Sequence, residues 1–111
     1  MTKVKENRLL IKSVLNACEN LNIDVKYLFA SLDLESALKE TGNSKLQKED
    51  IELLVKFIQV YRFIDRFCGG DVHFIHHWVI TKNKYFDTTP MEFFYTRDGI
   101  QRMYEYAQRF N

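Results

Sequence analysis

Cysteine, glycine and proline are scarce in this chain of 111 residues, which contains two, four and one of them. Two isolated cysteines, Cys18 and Cys68, argue against a disulfide framework, so we expect a cytoplasmic protein with reduced thiols. No glycine-rich loop of the kind that cradles phosphate is present. The sequence also shows no pair of acidic residues in an apolar setting. It shows no Ser or Cys with a general base at a spacing typical of a catalytic pair. We therefore predict that the chain is not an enzyme.

Net charge and long hydrophobic runs are also lacking. Sixteen basic residues against fifteen acidic ones give no overall field that would attract nucleic acid or a membrane surface. No apolar run approaches the ~20 residues that span a bilayer, and residues 1–7 lack the apolar core of a signal peptide. We predict no membrane partner.

The most prominent positive feature is a long helical pattern over Gln47–Phe67, which is apolar around most of its circumference. Ser44 and Gln47 can form a capping box at its start, and Gly69-Gly70 can end it. Such a helix must be covered on more than one side. We therefore predict a central helix with an N-terminal unit on one flank and a C-terminal unit or a second copy on the other.

The first 45 residues have the outline of a helix-turn-helix. Residues Arg8–Leu21 are amphipathic, Asp24 can cap a short helix through Ser31, and Glu35–Thr41 can form a third helix. We predict a helix-turn-helix-like unit over residues 1–45. Any small helical bundle can produce this outline, so a support for the central helix is the alternative.

Charge argues against strong DNA binding by this unit. The third helix and the turn before it hold Asp33, Glu35 and Glu40 against a single lysine. Acids placed beside phosphates cost electrostatic energy. A DNA-binding regulator remains an alternative function, and its candidate contact residues are Lys26, Ser36 and Lys39.

Residues 46–111 continue with helices alone. Asp71 can cap a helix through Thr81, and Thr89-Pro90 can start a short helix over Met91–Tyr95, with Glu92 completing a capping box. Thr96 can cap the last helix. There is no convincing strand, so we predict an all-α fold, a small helical bundle.

A metal site is the most specific chemical function that this half of the chain could have. His73 and His77 lie one helical turn apart, and Cys68 is just upstream. A fourth ligand is missing, and histidines at this spacing are common. We predict no metal and no cofactor.

The second half resembles the toxin-binding domain of Xre/MbcA/ParS-type antitoxins of bacterial type II toxin–antitoxin systems. That family reads W-L-x-x-P-N-x-x-L and then P-L-x-L-L-x-T-x-x-G-x-x-x-V. The segments 78–86 and 90–103 follow this order with nearly the right spacing, and the apolar positions match in kind. The identical positions are Trp78, Asn83, Pro90, Thr96 and Gly99.

The resemblance implies an antitoxin that dimerises and neutralises a toxin, commonly an NAD-consuming RES-domain enzyme, and that can repress its own operon. Lys82 departs from the family's proline, and Phe93-Phe94 replace a leucine pair. The sequence stops at Asn111, so we expect no long extension that could plug a toxin's active site. A helical dimeric interaction module without a toxin is a further alternative.

Aromatic residues make up 14% of the chain, and most of them follow residue 57. We expect a core of this size to leave several rings, Tyr106 among them, for a partner or a second copy. Trp78 also fits a core anchor, and Asn83 a loop residue that bonds nearby backbone. The predicted partner-binding residues are Trp78, Asn83, Tyr85, Phe86, Phe94, Tyr95, Tyr104 and Phe110.

Overall fold

A computed structural model of the chain describes residues 2–38 and 46–110, with side chains from residue 7 onward. The fold is mostly helical, and these residues form no strand beyond an isolated bridge between Asn83 and Thr88. The predicted all-α class is therefore confirmed. The helices are α1 (Thr2–Leu21), α2 (Val25–Ser31), a 3-10 helix (Glu35–Leu38), α3 (Lys48–Phe67), α4 (Val72–Ile80), α5 (Pro90–Phe93) and α6 (Arg97–Gln108).

Helix α3 lies at the centre of the fold, as predicted. It packs mainly against α6 on one side and α1 on the other, and α4 also contacts it. One of its stripes, containing Phe57, Val60 and Ile64, is almost completely buried. The cover is incomplete, however, because Val55 and Phe67 on the same helix keep 40% and 58% of their surface exposed.

The N-terminal unit differs from its prediction at both ends. Helix α1 begins at Thr2 rather than Arg8, because a nucleated helix extends at little cost through good helix formers such as lysine and glutamate. Asp24 caps α2 as predicted, accepting hydrogen bonds from the backbone N–H groups of Lys26 and Tyr27. The third element is a single 3-10 turn through Leu38, and the remainder of its predicted range lies outside the described residues.

Backbone geometry fixes both ends of α3. At its start the Gln47 N–H donates to Asp50 Oδ2 at 3.0 Å, so the capping pair is Gln47 with Asp50. The predicted partner Ser44 lies outside the described residues. At its end Gly69 and Gly70 both adopt positive φ, and the Gly70 N–H donates to the Asp65 carbonyl at 2.8 Å. The predicted glycine stop is confirmed.

Two of the three predicted caps in the C-terminal half are confirmed. Asp71 accepts the His73 N–H at 2.9 Å, and Thr96 Oγ1 accepts the Gly99 N–H at 2.9 Å. The predicted capping box at Thr89 is wrong, because the Glu92 N–H bonds to the Thr89 carbonyl at 3.2 Å and the Thr89 side chain makes no capping bond. Helix α5 accordingly spans Pro90–Phe93 and does not reach Tyr95.

One side chain links three elements of the bundle. Arg97, at the start of α6, donates through Nη2 to the Leu32 carbonyl and to Asp50 Oδ1, both at 2.8 Å. Leu32 ends α2, and Asp50 lies in the first turn of α3 with only 14% of its side chain exposed. Arg97 therefore ties the turn after α2 to the helices of the C-terminal half.

Candidate partner-binding surface

Eight aromatic rings form a continuous cluster where α3, α4, the 81–89 loop, α5 and α6 meet. Each ring centroid lies within 6.1 Å of at least one other in the cluster. Closest are Tyr85 and Tyr106, at 4.6 Å. The cluster consists of Phe63, Phe67, Trp78, Tyr85, Phe86, Phe93, Tyr106 and Phe110.

Part of this cluster opens to the surface as a cleft. Phe63, Arg66, Phe67, Tyr106 and Phe110 line it, and its volume is about 520 Å³. Phe63 is 8% exposed, whereas Phe67 and Phe110 are 58% and 61% exposed. The cleft, called the aromatic cleft below, thus has a buried floor and open aromatic walls.

The cleft exists because two helices extend past the part of the core that covers them. On α3 the buried stripe through Val60 and Ile64 continues to Phe67, in the last turn of the helix. On α6 the buried side ends at Ala107, and Phe110 follows just after the helix. Helical periodicity keeps these rings on the inward side, yet no described element lies over them. Apolar surface is left at the end of the bundle.

Cations accompany the rings. The Arg109 guanidinium lies over the Tyr85 ring at 5.3 Å from its centroid, and the Arg102 guanidinium over the Phe93 ring at 5.4 Å. Arginine on an aromatic face is held by the ring quadrupole. Arginine, tyrosine and tryptophan are also the residues most enriched among the strongest contributors to protein–protein binding.

Four of the predicted partner-binding residues belong to the cluster. Tyr85 and Phe110 are more than half exposed, and Trp78 is half-buried against Phe67 at 6.1 Å. The expectation that the core would leave Phe86 uncovered is wrong, because this ring packs among three neighbours and is 8% exposed.

Phe94 is the clearest correction. We expected it at a partner surface, but it is completely buried, with its ring edge-to-face against Phe57 at 5.4 Å. Phe94 follows directly after α5, which packs against α6, and its ring is directed at Phe57 of α3. In this fold it has no surface to offer a partner.

The other predicted residues lie apart from the cluster. Tyr95 is half-buried beside Tyr27, with ring centroids 4.8 Å apart. Tyr104 is half-buried under the Lys56 ammonium, which lies 5.4 Å from its ring centroid. Neither residue contributes to the aromatic cleft.

Asn83 has a structural role within its loop. Its side-chain oxygen accepts the Tyr85 N–H at 2.8 Å. Its backbone N–H donates to the Thr88 carbonyl, and its carbonyl accepts the Asp87 N–H. The predicted loop role of Asn83 is confirmed. This arrangement presents Tyr85 beside Tyr106, so Asn83 contributes to the surface through the position it gives to a neighbour.

From the sequence, neither Phe63 nor Phe67 is singled out as a surface residue, and the whole of Gln47–Phe67 is treated as a helix that other elements cover. A signal for Phe67 was available: it lies at the last turn of α3, directly before the Cys68-Gly69-Gly70 stop. A ring at the very end of a central helix has neighbours on one side only.

The candidate DNA contacts lie on the N-terminal unit. Lys26 and Ser36 are exposed, on α2 and on the 3-10 helix. Lys39 lies outside the described residues. DNA binding stays a prediction, and the acids Asp33 and Glu35 are exposed beside Ser36.

The cysteines and histidines do not assemble into a metal site. Among the described residues no group of three or more His, Cys, Asp or Glu side chains is arranged to hold a metal ion. Burial raises the pKa of the Cys18 thiol to about 12. The pKa of Cys68 is also raised, by burial and then by the charges of Asp65 and Asp71. Both thiols are therefore held in the form that is a poor nucleophile and a poor ligand.

We expect both cysteines to react with iodoacetamide near neutral pH far more slowly than a free thiol, because the thiolate is disfavoured and the sulfur is buried. Mass spectrometry of the native chain over time measures the rate, and the urea-unfolded chain provides the reference. Cys18→Ala and Cys68→Ala variants assign each adduct. Rapid labelling of Cys68 in the native chain would contradict this expectation, and would make Cys68 with the nearby His73 a candidate nucleophilic pair.

No protein-family model matches the sequence, and a search of curated proteins finds no significant match. Of the helices in residues 2–38 and 46–110, none combines the length and hydropathy needed to cross a membrane.

Proposed function

We propose that this chain is an antitoxin that neutralises a partner toxin by docking it against the aromatic cleft. The observation that carries the proposal is the exposed aromatic surface formed by Phe67 and Phe110 over the buried floor of Phe63. Contiguous exposed apolar surface of this kind marks interaction sites on folded proteins. The motif from Trp78 to Gly99 supplies the class of partner, a toxin protein.

The position of the surface agrees with this role. Tyr106, Phe110 and Tyr85 belong to the segment that resembles a toxin-binding domain, and Phe67 adds the end of the central helix. We propose that residues 46–111 form the docking unit and that residues 1–45 support it in a cytoplasmic homodimer. Because the cleft has a concave, preformed floor, docking requires little rearrangement of its backbone.

Growth in a bacterial host tests the proposal. The product of the gene next to this one is expressed alone, together with this chain, and together with a Phe67→Ser/Phe110→Ser variant. We expect the neighbouring product to arrest growth, the intact chain to restore it and to copurify with that product, and the variant to do neither. Both replaced rings are mostly exposed, so the variant should remain folded.

Tyr27→Ser is the matched control. Tyr27 is 59% exposed, close to the value for Phe67, and does not line the aromatic cleft. We expect this variant to restore growth as well as the intact chain does. An intact chain that fails to protect against any toxic neighbouring product would reject the antitoxin function.

A further inference from the structure

Three clefts adjoin one another along α3. The aromatic cleft shares Arg66 with a second cleft, of about 240 Å³, that runs between α3 and α6 beside Gln59 and Arg62. The second cleft shares Arg62 with a third, of about 330 Å³, that runs between α1 and α3 beside Lys12. The three form one continuous band, called the basic-aromatic band below.

The charge of this band has one sign. Lys12, Arg62 and Arg66 line it, and no aspartate or glutamate among the described residues does. The chain as a whole carries almost as many acidic residues as basic ones, so its acids are distributed elsewhere. Neither Lys12 nor Arg62 forms an ion pair with a described residue. The band therefore combines apolar rings at one end with two cations along the rest, Lys12 and Arg62, that form no ion pair with a described residue.

We propose that the basic-aromatic band docks an acidic protein segment with apolar anchors. In this arrangement an apolar side chain of the partner enters the aromatic cleft, and its carboxylates lie along Arg62 and Lys12. The inference rests on the proposed antitoxin function and adds the chemistry of the partner surface. Opposite charge across such an interface speeds encounter and selects the partner, while the buried rings supply most of the affinity.

A second copy of this chain is a poor occupant of the band. A two-fold contact through it would bring together two surfaces that both carry cations and hold no described aspartate or glutamate, so Lys12 and Arg62 would be covered without a carboxylate partner. Like charges in contact are disfavoured, and more so when the contact excludes water. Any homodimer is expected to use another face.

Single-stranded nucleic acid is also a poorer fit than an acidic protein. Bases bind by stacking in succession on separate aromatic faces along a basic groove. Here the rings pack on one another, with Phe110 5.0 Å from Tyr106 and 5.8 Å from Phe63. Together they line one concave pocket, which suits a compact apolar side chain.

Four synthetic probes without tryptophan test the proposal. One is an amphipathic peptide with glutamate on one face and phenylalanine and leucine on the other. The second carries lysine in place of glutamate, the third carries serine in place of the apolar residues, and the fourth is oligothymidylate. Trp78, the single tryptophan of the chain, lies 6.1 Å from Phe67, so its fluorescence reports on the cleft. Anisotropy of the labelled probe gives the affinity.

We expect the acidic amphipathic peptide to bind with a change in Trp78 emission, and the other probes to bind at least about tenfold more weakly. Arg62→Glu should weaken this peptide by roughly tenfold or more, whereas Lys26→Glu, an equal change of charge outside the band, should leave it nearly unchanged. Added salt should weaken binding, because it screens the exposed cations.

Several results would overturn the proposal. These are no binding of the acidic peptide, equal binding of the lysine peptide, tighter binding of oligothymidylate, or insensitivity to Arg62→Glu. Self-association of the intact chain that Phe67→Ser abolishes would identify a second copy as the occupant. The growth assay keeps the two proposals distinct: if the intact chain and Arg62→Glu both restore growth equally, the docking band is rejected and the antitoxin function stands.

Discussion

Replacing Phe94 with alanine is expected to lower the free energy of unfolding by ~3–5 kcal/mol, the usual cost of removing a buried phenylalanine ring. Phe94 is completely buried, and its ring packs edge-to-face on Phe57 of the central helix. The loss includes the apolar burial of the ring and the cavity left between α3 and α5. Urea unfolding followed by circular dichroism measures it.

Phe67→Ala provides the matched comparison, because the same ring is removed from a site that is 58% exposed. We expect a loss of no more than about 1 kcal/mol there, as for most surface substitutions. Equal losses at the two positions would show that Phe67 is a core residue, and would remove the basis for an aromatic docking surface. A small loss at Phe94 would show that its ring does not pack on Phe57 as described.

Gly99→Ala is expected to destabilise the fold by about 1–3 kcal/mol, the range for overpacking. Glycine inside a helix ordinarily costs ~1 kcal/mol relative to alanine, so the usual effect of this change has the opposite sign. Here a Cβ would meet the carbonyl oxygen of Phe93 and lie 2.7 Å from Thr96 Oγ1. Backbone of α5 cannot move away freely, and the Thr96 oxygen is the cap of α6.

Thermal unfolding of Gly99→Ala and of Gly69→Ala distinguishes two costs of replacing a glycine: a steric clash of the added Cβ, and an unfavourable backbone conformation. Gly69 has a φ of +66°, and a Cβ added to it would meet no atom within 4 Å. Its replacement therefore costs about 1–2 kcal/mol through the left-handed conformation alone. Gly99 has no such conformational demand, and its cost comes from contact. A stabilised Gly99→Ala variant would contradict the close approach of α5 to α6.

Sequence reasoning succeeded where a single residue's chemistry decides a local structure. Asp24, Asp71 and Thr96 cap helices because a short side-chain oxygen reaches the first free N–H groups, and Gly69-Gly70 ends α3 because glycine adopts positive φ without strain. It failed at Thr89, where the carbonyl of the same residue accepts the N–H that its hydroxyl was expected to take.

Burial of individual rings was harder to predict, since periodicity gives the side of a helix and not what lies over it. Phe93 and Phe94 are adjacent in the chain, yet Phe93 is half-buried under Arg102 and Phe94 is inside the core. That difference depends on the angle at which α5 crosses its neighbours, a tertiary property. Phe67 shows the same limitation at a helix end. It continues a regular apolar stripe of α3, but the residues that bury this stripe extend only as far as Ile64, one turn earlier.

The most direct test of a docking role for the aromatic cleft is the dissociation constant of the complex with the toxic product of the neighbouring gene. Titration calorimetry would compare the intact chain with the Phe67→Ser/Phe110→Ser variant. We expect the variant to bind roughly 100-fold more weakly or worse while unfolding at nearly the same urea concentration, as for two exposed rings that dominate an interface. An unchanged dissociation constant in a folded variant would contradict docking at this cleft.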